Sequence, residues 1–180
     1  PKTSLKETFM ELFRGIAITL RNKPFQRICA ATFCIFNAYN CVAGFAFFII
    51  VYYMNGGDTV AAGNWPAWFG SASAICTCVI VIPLVNWMAQ TIGKHKTFLI
   101  SQSLSLAGYA MFWWTFSPTN PWLMFLPLPL FAFGIGGLFT IMMSMTADIC
   151  DLDELETHER REGLFGAIYW WMVKFGAAFA

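Results

Sequence analysis

Apolar and polar positions alternate along this chain in long blocks. Five apolar stretches run over residues 25–54, 66–90, 97–116, 121–147 and 163–180, separated by short polar segments. Each stretch that is bounded on both sides has about 20 residues or more, enough to cross a hydrocarbon core as a helix. Their apolarity is uniform, whereas a membrane-barrel strand would alternate over about 10 residues. Ahead of them, residues 1–24 follow a different period. Ser4-Leu-Lys-Glu7 reads as a capping box, and Leu5, Phe9, Leu12, Phe13, Ile16 and Leu20 recur at helical spacing among Lys6, Glu7, Glu11, Arg14 and Arg21. This predicts an amphipathic helix on the membrane surface, ended by Lys23-Pro24. The expected fold is an all-α integral membrane bundle of residues 25–180 behind a linker helix at 1–24.

Composition agrees. Hydrophobic residues make up 58% and charged residues 12%, where a soluble domain has about 25% charged. The net charge of +1 hides a segregation: ten of the eleven Lys and Arg residues lie within 2–27, 94–96 and 160–161. The intervening segments 55–65 and 117–120 carry no Lys or Arg. By the positive-inside rule the linker, the segment around Lys94 and Lys96, and residues 148–162 are cytoplasmic. Trp65, Trp68, Trp113, Trp114 and Trp122 fall at the opposite ends, as an aromatic belt does. No basic patch suits nucleic acid. Beginning at Pro1 and stopping at Ala180 within an apolar run, the sequence reads as a fragment of a longer protein.

Polar residues inside the apolar stretches are the candidate chemistry. Asn37, Asn40, Cys41 and Gly44 share one face of the first at i, i+3, i+4 and i+7. Two amides on one stripe can bond a polyhydroxylated ligand or glue helices together. Thr140 and Ser144 align in the fourth, where back-bonding to the helix is the default. The last stretch holds Tyr169, Trp170, Trp171 and Lys174. Trp170 lies four residues before Lys174 and shares its face. Counting about 11 residues from Gly163 at about 1.5 Å each puts Lys174 about 16 Å deep. That is near the middle of a core of about 30 Å. A cation there costs at least about 2.5–3.5 kcal/mol on insertion scales, so it calls for a polar interior and an anionic partner. No apolar stretch offers an acid at that depth, so the partner is expected on another part of the protein.

Seven acids, Asp148, Asp151, Asp153, Glu154, Glu156, Glu159 and Glu162, crowd between the fourth and fifth stretches with Arg160 and Arg161. They read either as a solvated loop or as salt bridges that close the cytoplasmic side, with Lys94 and Lys96 nearby. The six cysteines lack metal-ligand spacing and are expected to be buried bystanders, and the two histidines sit in polar segments. The apolar stretches contain neither His nor carboxylate, which argues against a membrane enzyme. Pro83, Pro127, Pro129, Gly134, Gly136 and Gly137 predict bent, closely packed helices.

The run Ala147-Asp-Ile-Cys-Asp-Leu-Asp-Glu-Leu-Glu-Thr-His-Glu-Arg-Arg-Glu-Gly163 resembles the signature of the glycoside–pentoside–hexuronide:cation symporters of the major facilitator superfamily. The elements Arg21-Asn-Lys-Pro-Phe25, Asn40-Cys-Val-Ala-Gly-Phe-Ala46, Gly93-Lys-His-Lys96 and Met172-Val-Lys174 follow the family's order. The signature often has an aromatic residue at the position of Leu152 and Gly at that of His158. The resemblance implies the linker and helices seven to eleven of a twelve-helix carrier in a bacterial inner membrane, part of its C-terminal six-helix bundle. It implies symport of a sugar, glycoside or hexuronide with Na⁺ or H⁺, and no other cofactor. Lys174 would face cation-site carboxylates on the N-terminal half of the same carrier. Asn37, Asn40, Phe139, Tyr169 and Trp170 would contact substrate. Lys94, Lys96, Asp148, Asp151, Asp153, Glu154, Arg160 and Arg161 would form a cytoplasmic gate. Related carriers move lysophospholipids, so an amphiphilic solute is the alternative, with membrane lipid the surroundings in either case. Melibiose-type carriers have small polar side chains where Tyr169 and Trp170 stand.

Overall fold

The computed structural model describes residues 14–159 and 161–180. The capping box and the first half of the linker stripe lie outside them, as does Arg160. Residues 14–21 are helical, with Ile16 packed on the cytoplasmic core and Gly15 so close to Leu164 that a Cβ would fall 2.6 Å from its Cδ1. The break comes at Asn22 rather than at Lys23-Pro24. Asn22 Oδ1 accepts the Phe25 amide at 3.1 Å, and Pro24 serves the first turn of the next helix, where its missing N–H costs nothing.

Helix α1, Lys23–Phe48, widens into a π-helical turn, Ile49–Met54. After the short α2, Thr59–Ala62, capped by Asp58, comes α3, Trp65–Cys76. A second π turn, Thr77–Val81, joins it to α4, Ile82–Ile92. The turn sits immediately ahead of Pro83, whose ring and absent N–H forbid regular α bonding to the preceding carbonyls. Gly93, at φ 88, lets α4 reverse into α5, Lys94–Thr115. The 3₁₀ turn Pro121–Phe125 leads to α6, Leu128–Gly137. A third π turn, Leu138–Met142, continues it into α7, Met143–Thr157. Helix α8 is Glu162–Ala178. No strand occurs among the described residues.

Three continuous helices, Lys23–Met54, Thr59–Ile92 and Pro121–Thr157, are long and apolar enough to cross a membrane. Gln102 and three serines dilute the hydropathy of α5, and α8 is 17 residues long. The fourth expected stretch does not stop at Ala147. No Gly or Pro interrupts the chain until Gly163, and Asp-Leu-Asp-Glu-Leu-Glu continues in good helix formers. The acidic segment is therefore mostly helix. It ends at His158, which adopts the left-handed conformation at φ 56. That geometry favours glycine, which accounts for the Gly of the signature at this position.

Small residues set the packing. A Cβ on Gly108 would lie 2.6 Å from the Phe131 nitrogen, on Gly134 2.5 Å from Ser105 Oγ, and on Gly137 2.8 Å from Ser101 Cβ. The backbones of α5 and α6 thus approach closely at three levels along a seam about two turns long. Gly136 of α6 is held as closely to Val81, the last residue of the second π turn. One core cluster joins Phe25 and Ile28 to Leu138, Met142, Phe165 and Tyr169 toward the end where Arg161 and Asp153 pair. Another joins Ile50 and Met54 to Phe69, Phe112 and Phe131 at the opposite end. Trp65, Trp68 and Trp122 gather there, with Trp65 and Trp122 centroids 5.0 Å apart. All six cysteines are free. Contrary to expectation Cys34 and Cys78 are exposed, because each lies on an outward helix face, while Cys150 is buried.

Candidate functional site

Helix α1, the π turn at 138–142 and helix α8 bring an aromatic cluster together. Phe139 stands edge-to-face on Phe36 at 5.5 Å and lies 6.4 Å from the Trp170 ring. Phe139 is 36% and Trp170 45% exposed, so both present ring surface outside the bundle. The extra residue of the π turn turns Phe139 outward between buried Leu138 and Ile141. Lys174 follows Trp170 by one turn of α8 and is exposed. Among the described residues it has no ion pair.

Tyr169 goes the other way. It is 1% exposed and belongs to the core cluster around Phe25 and Phe165, where its hydroxyl is buried without a hydrogen-bond partner among the described residues. Its contact with the site is indirect, through the edge-to-face Trp170 ring at 5.9 Å. The two asparagines also differ. Asn40 donates from Nδ2 to the Phe36 carbonyl of its own helix at 2.8 Å. Asn37 donates to the Gly176 carbonyl of α8 at 3.4 Å and draws the Cys41 thiol to its Oδ1. Asn37 is thus placed between helices, and Asn40 keeps its Oδ1 for other partners. The close approach of α1 and α8 rests on Gly176, where a Cβ would lie 2.9 Å from the Phe33 carbonyl and from Phe36 Cβ.

A groove of about 210 Å³ leads from this cluster toward the cytoplasmic end, lined by Trp170, Gly166, Thr146, Cys150 and Glu162 among others. Beyond it lie the charges. Lys94 Nζ reaches both oxygens of Asp148, at 2.7 and 2.6 Å, and ties the start of α5 to α7. Both side chains are well exposed, so the pair contributes about 0.2–1 kcal/mol. Arg161 Nε lies 3.6 Å from Asp153 Oδ2 with both side chains about nine-tenths buried, and 3.4 Å from exposed Glu159. This pair staples α7 to the start of α8. Asp151 and Glu154 line a separate shallow basin with Leu155 and His158. Lys96 is exposed and makes no ion pair among the described residues. Of the expected charge cluster, then, Lys94 joins Asp148 and Arg161 joins Asp153, at two distinct places.

Sequence reasoning passed over Phe36 and Gly176. Extending the Asn40 stripe back four residues would have found Phe36. Gly176, in a run of small residues near the chain's end, gave no distinguishing signal.

Residues 1–180 match the family described as MFS/sugar transport protein. The chain is also 30% identical over 158 residues to the glucuronide carrier protein homolog of Escherichia coli (strain K12). That alignment covers 88% of this chain and 33% of the relative, so the chain spans about a third of the relative's length. No solved structure matches.

Proposed function

Because this chain belongs to the MFS/sugar transport protein family, and is therefore a multi-pass membrane protein of the transporter class rather than an enzyme, we propose that it is part of a secondary carrier for a sugar, glycoside or hexuronide. Movement is coupled to Na⁺ or H⁺ and proceeds by alternating access. The observation that carries this reading is the uncovered face of Phe139, Trp170 and Lys174. Aromatic faces stack on the apolar C–H face of a sugar ring, and a mid-membrane lysine is a functional group by default. Asn40 offers its carbonyl oxygen to a hydroxyl, while Tyr169 and Asn37 hold Trp170 and the α1–α8 approach in place. Lys174 meets carboxylates of the N-terminal half and couples the ion to the sugar. Lys94–Asp148 is weak and breakable, as a cytoplasmic gate needs. The buried Arg161–Asp153 staple keeps α7 and α8 moving as one body, with Lys96, Asp151, Glu154 and Arg160 supplying the surrounding charge.

A second reading has one observation in its favour. An apolar groove of about 760 Å³ between α1 and α5, lined by Phe45, Tyr53 and Trp113 among others, suits an acyl chain. Uptake of labelled hexoses, glycosides, hexuronides and a lysophospholipid into vesicles carrying the full-length protein separates the two. A Na⁺ or H⁺ gradient is expected to drive accumulation of a sugar. Transport of the lysophospholipid alone would sink the sugar reading.

A further inference from the structure

A second cavity, of about 220 Å³, lies between α1, α3 and α6 on a different face of α1 from the asparagine stripe. Its α1 wall is Tyr39, Ala43, Ala46 and Ile50, spaced i, i+4, i+7 and i+11. Two features distinguish it from a packing defect. First, its walls mix ring faces with hydroxyls. Phe131 lies stacked under Tyr39 at 5.1 Å, and Phe69, Tyr39 and Ser73 all line the cavity. Thr77, in the π turn, also lines the cavity and donates to the Ser73 carbonyl at 2.8 Å. An apolar void stays dry, whereas one with convergent hydroxyls and this volume holds water, and such water is displaced well by a ligand that replaces its hydrogen bonds. Second, the mouth is open at a glycine that packing does not require. A Cβ on Gly70 would meet nothing within 4 Å, unlike those on Gly108, Gly134, Gly136 and Gly137.

We infer that this cavity is a second subsite for one ring of the transported sugar, displaced from the Trp170 face toward the Pro66 end of the bundle. The inference rests on the sugar-transport reading. Tyr39 and Asn40 are consecutive on α1 and point about 100° apart around it, so one helix contributes to both places. The Tyr39–Ser73 pair would hydrogen-bond ring hydroxyls while Phe131 and Phe69 bound the apolar faces of the ring.

The test uses vesicles carrying the full-length protein and whichever labelled hexose, glycoside or hexuronide the unaltered carrier accumulates. Gly70→Leu fills the cavity without displacing a neighbour, and Ser73→Ala removes the hydroxyl at nearly constant volume. Each is expected to raise KM about tenfold at unchanged Vmax, as loss of uniform binding requires. An unchanged KM in both variants, or in Ser73→Ala where Gly70→Leu fails to reach the membrane, overturns the subsite and leaves sugar transport standing. Failure of the unaltered carrier to accumulate any sugar would remove both readings together.

Discussion

The seam between α5 and α6 and the seam between α1 and α8 are both closed by glycine, yet they are built for different ends. Along the first, Ser101, Ser105 and Gly108 meet Gly137, Gly134 and the Phe131 backbone at three successive levels. Its one side-chain hydrogen bond across helices is Gln102 to the Gly134 carbonyl at 3.2 Å. The Ser101 and Ser105 hydroxyls are buried without a partner among the described residues, so their service is smallness. The second seam has a single glycine at its centre, Gly176, and its neighbours are polar or aromatic: Asn37 bonds the Gly176 carbonyl, and Phe33 stands edge-to-face on Phe179 at 5.9 Å. It opens directly onto Trp170 and Lys174. A seam of many small contacts resists sliding, because each level must clear the next. A seam pivoting on one glycine leaves the side chains around it free to serve a ligand. Rigidity and chemistry are thus assigned to opposite sides of the same bundle.

The largest effect is expected where the second seam meets the membrane's middle. Lys174→Leu should abolish gradient-driven uptake by the full-length protein, since the carboxylates that Lys174 is proposed to meet would be left without their cation. Lost stability together with retained coupling would place Lys174 in the scaffold. Next comes Gly108→Ala in the first seam. Its new methyl would press on backbone atoms of α6 that cannot rotate away, with an expected cost of about 1–3 kcal/mol from overpacking. KM in the surviving protein should be unaltered; a shifted KM would show that the rigid seam communicates with the site. The same substitution at Gly176 gives the finest comparison. Here too the new methyl meets backbone, the Phe33 carbonyl oxygen at 2.9 Å, beside Phe36 Cβ at the same distance, so the expected cost is likewise about 1–3 kcal/mol. The resulting shift of α1 would move Phe36 relative to Phe139, so KM should change as well as the melting temperature. Equal melting shifts with KM unmoved in both alanine variants would erase the distinction between the seams.

Much of this arrangement was readable in the chain. Apolar length located the long helices, although α7 runs ten residues past the expected Ala147, and charge segregation grouped Lys94 with Asp148. Spacing could not show three things. A π turn requires only that one extra residue fit, and Ile49–Met54, Thr77–Val81 and Leu138–Met142 have compositions ordinary for α-helix. The continuation of α7 to Thr157 was obscured because acids read as solvated whether they lie on a loop or on a helix emerging from the membrane. The separation of Tyr169 from Trp170 is a matter of rotation. Adjacent residues on a helix lie about 100° apart, so one wall of α8 takes Tyr169 into the core and the next gives Trp170 to the open face.

The packing of the π turn Thr77–Val81 against Gly136 of α6 carries a consequence for how this chain tolerates changes in length. Each π turn is an α-helix with one residue too many, so deleting one residue from Thr77–Val81 would restore regular winding and turn everything beyond it by about 100°. Val85, now wholly buried, would swing to the outer surface, and the α4 face that meets Ile141 would be replaced by its neighbour. A single deletion there is therefore a change of phase rather than a loss of one contact. A compensating insertion or deletion would have to fall within the same few turns, before Gly93 reverses the chain.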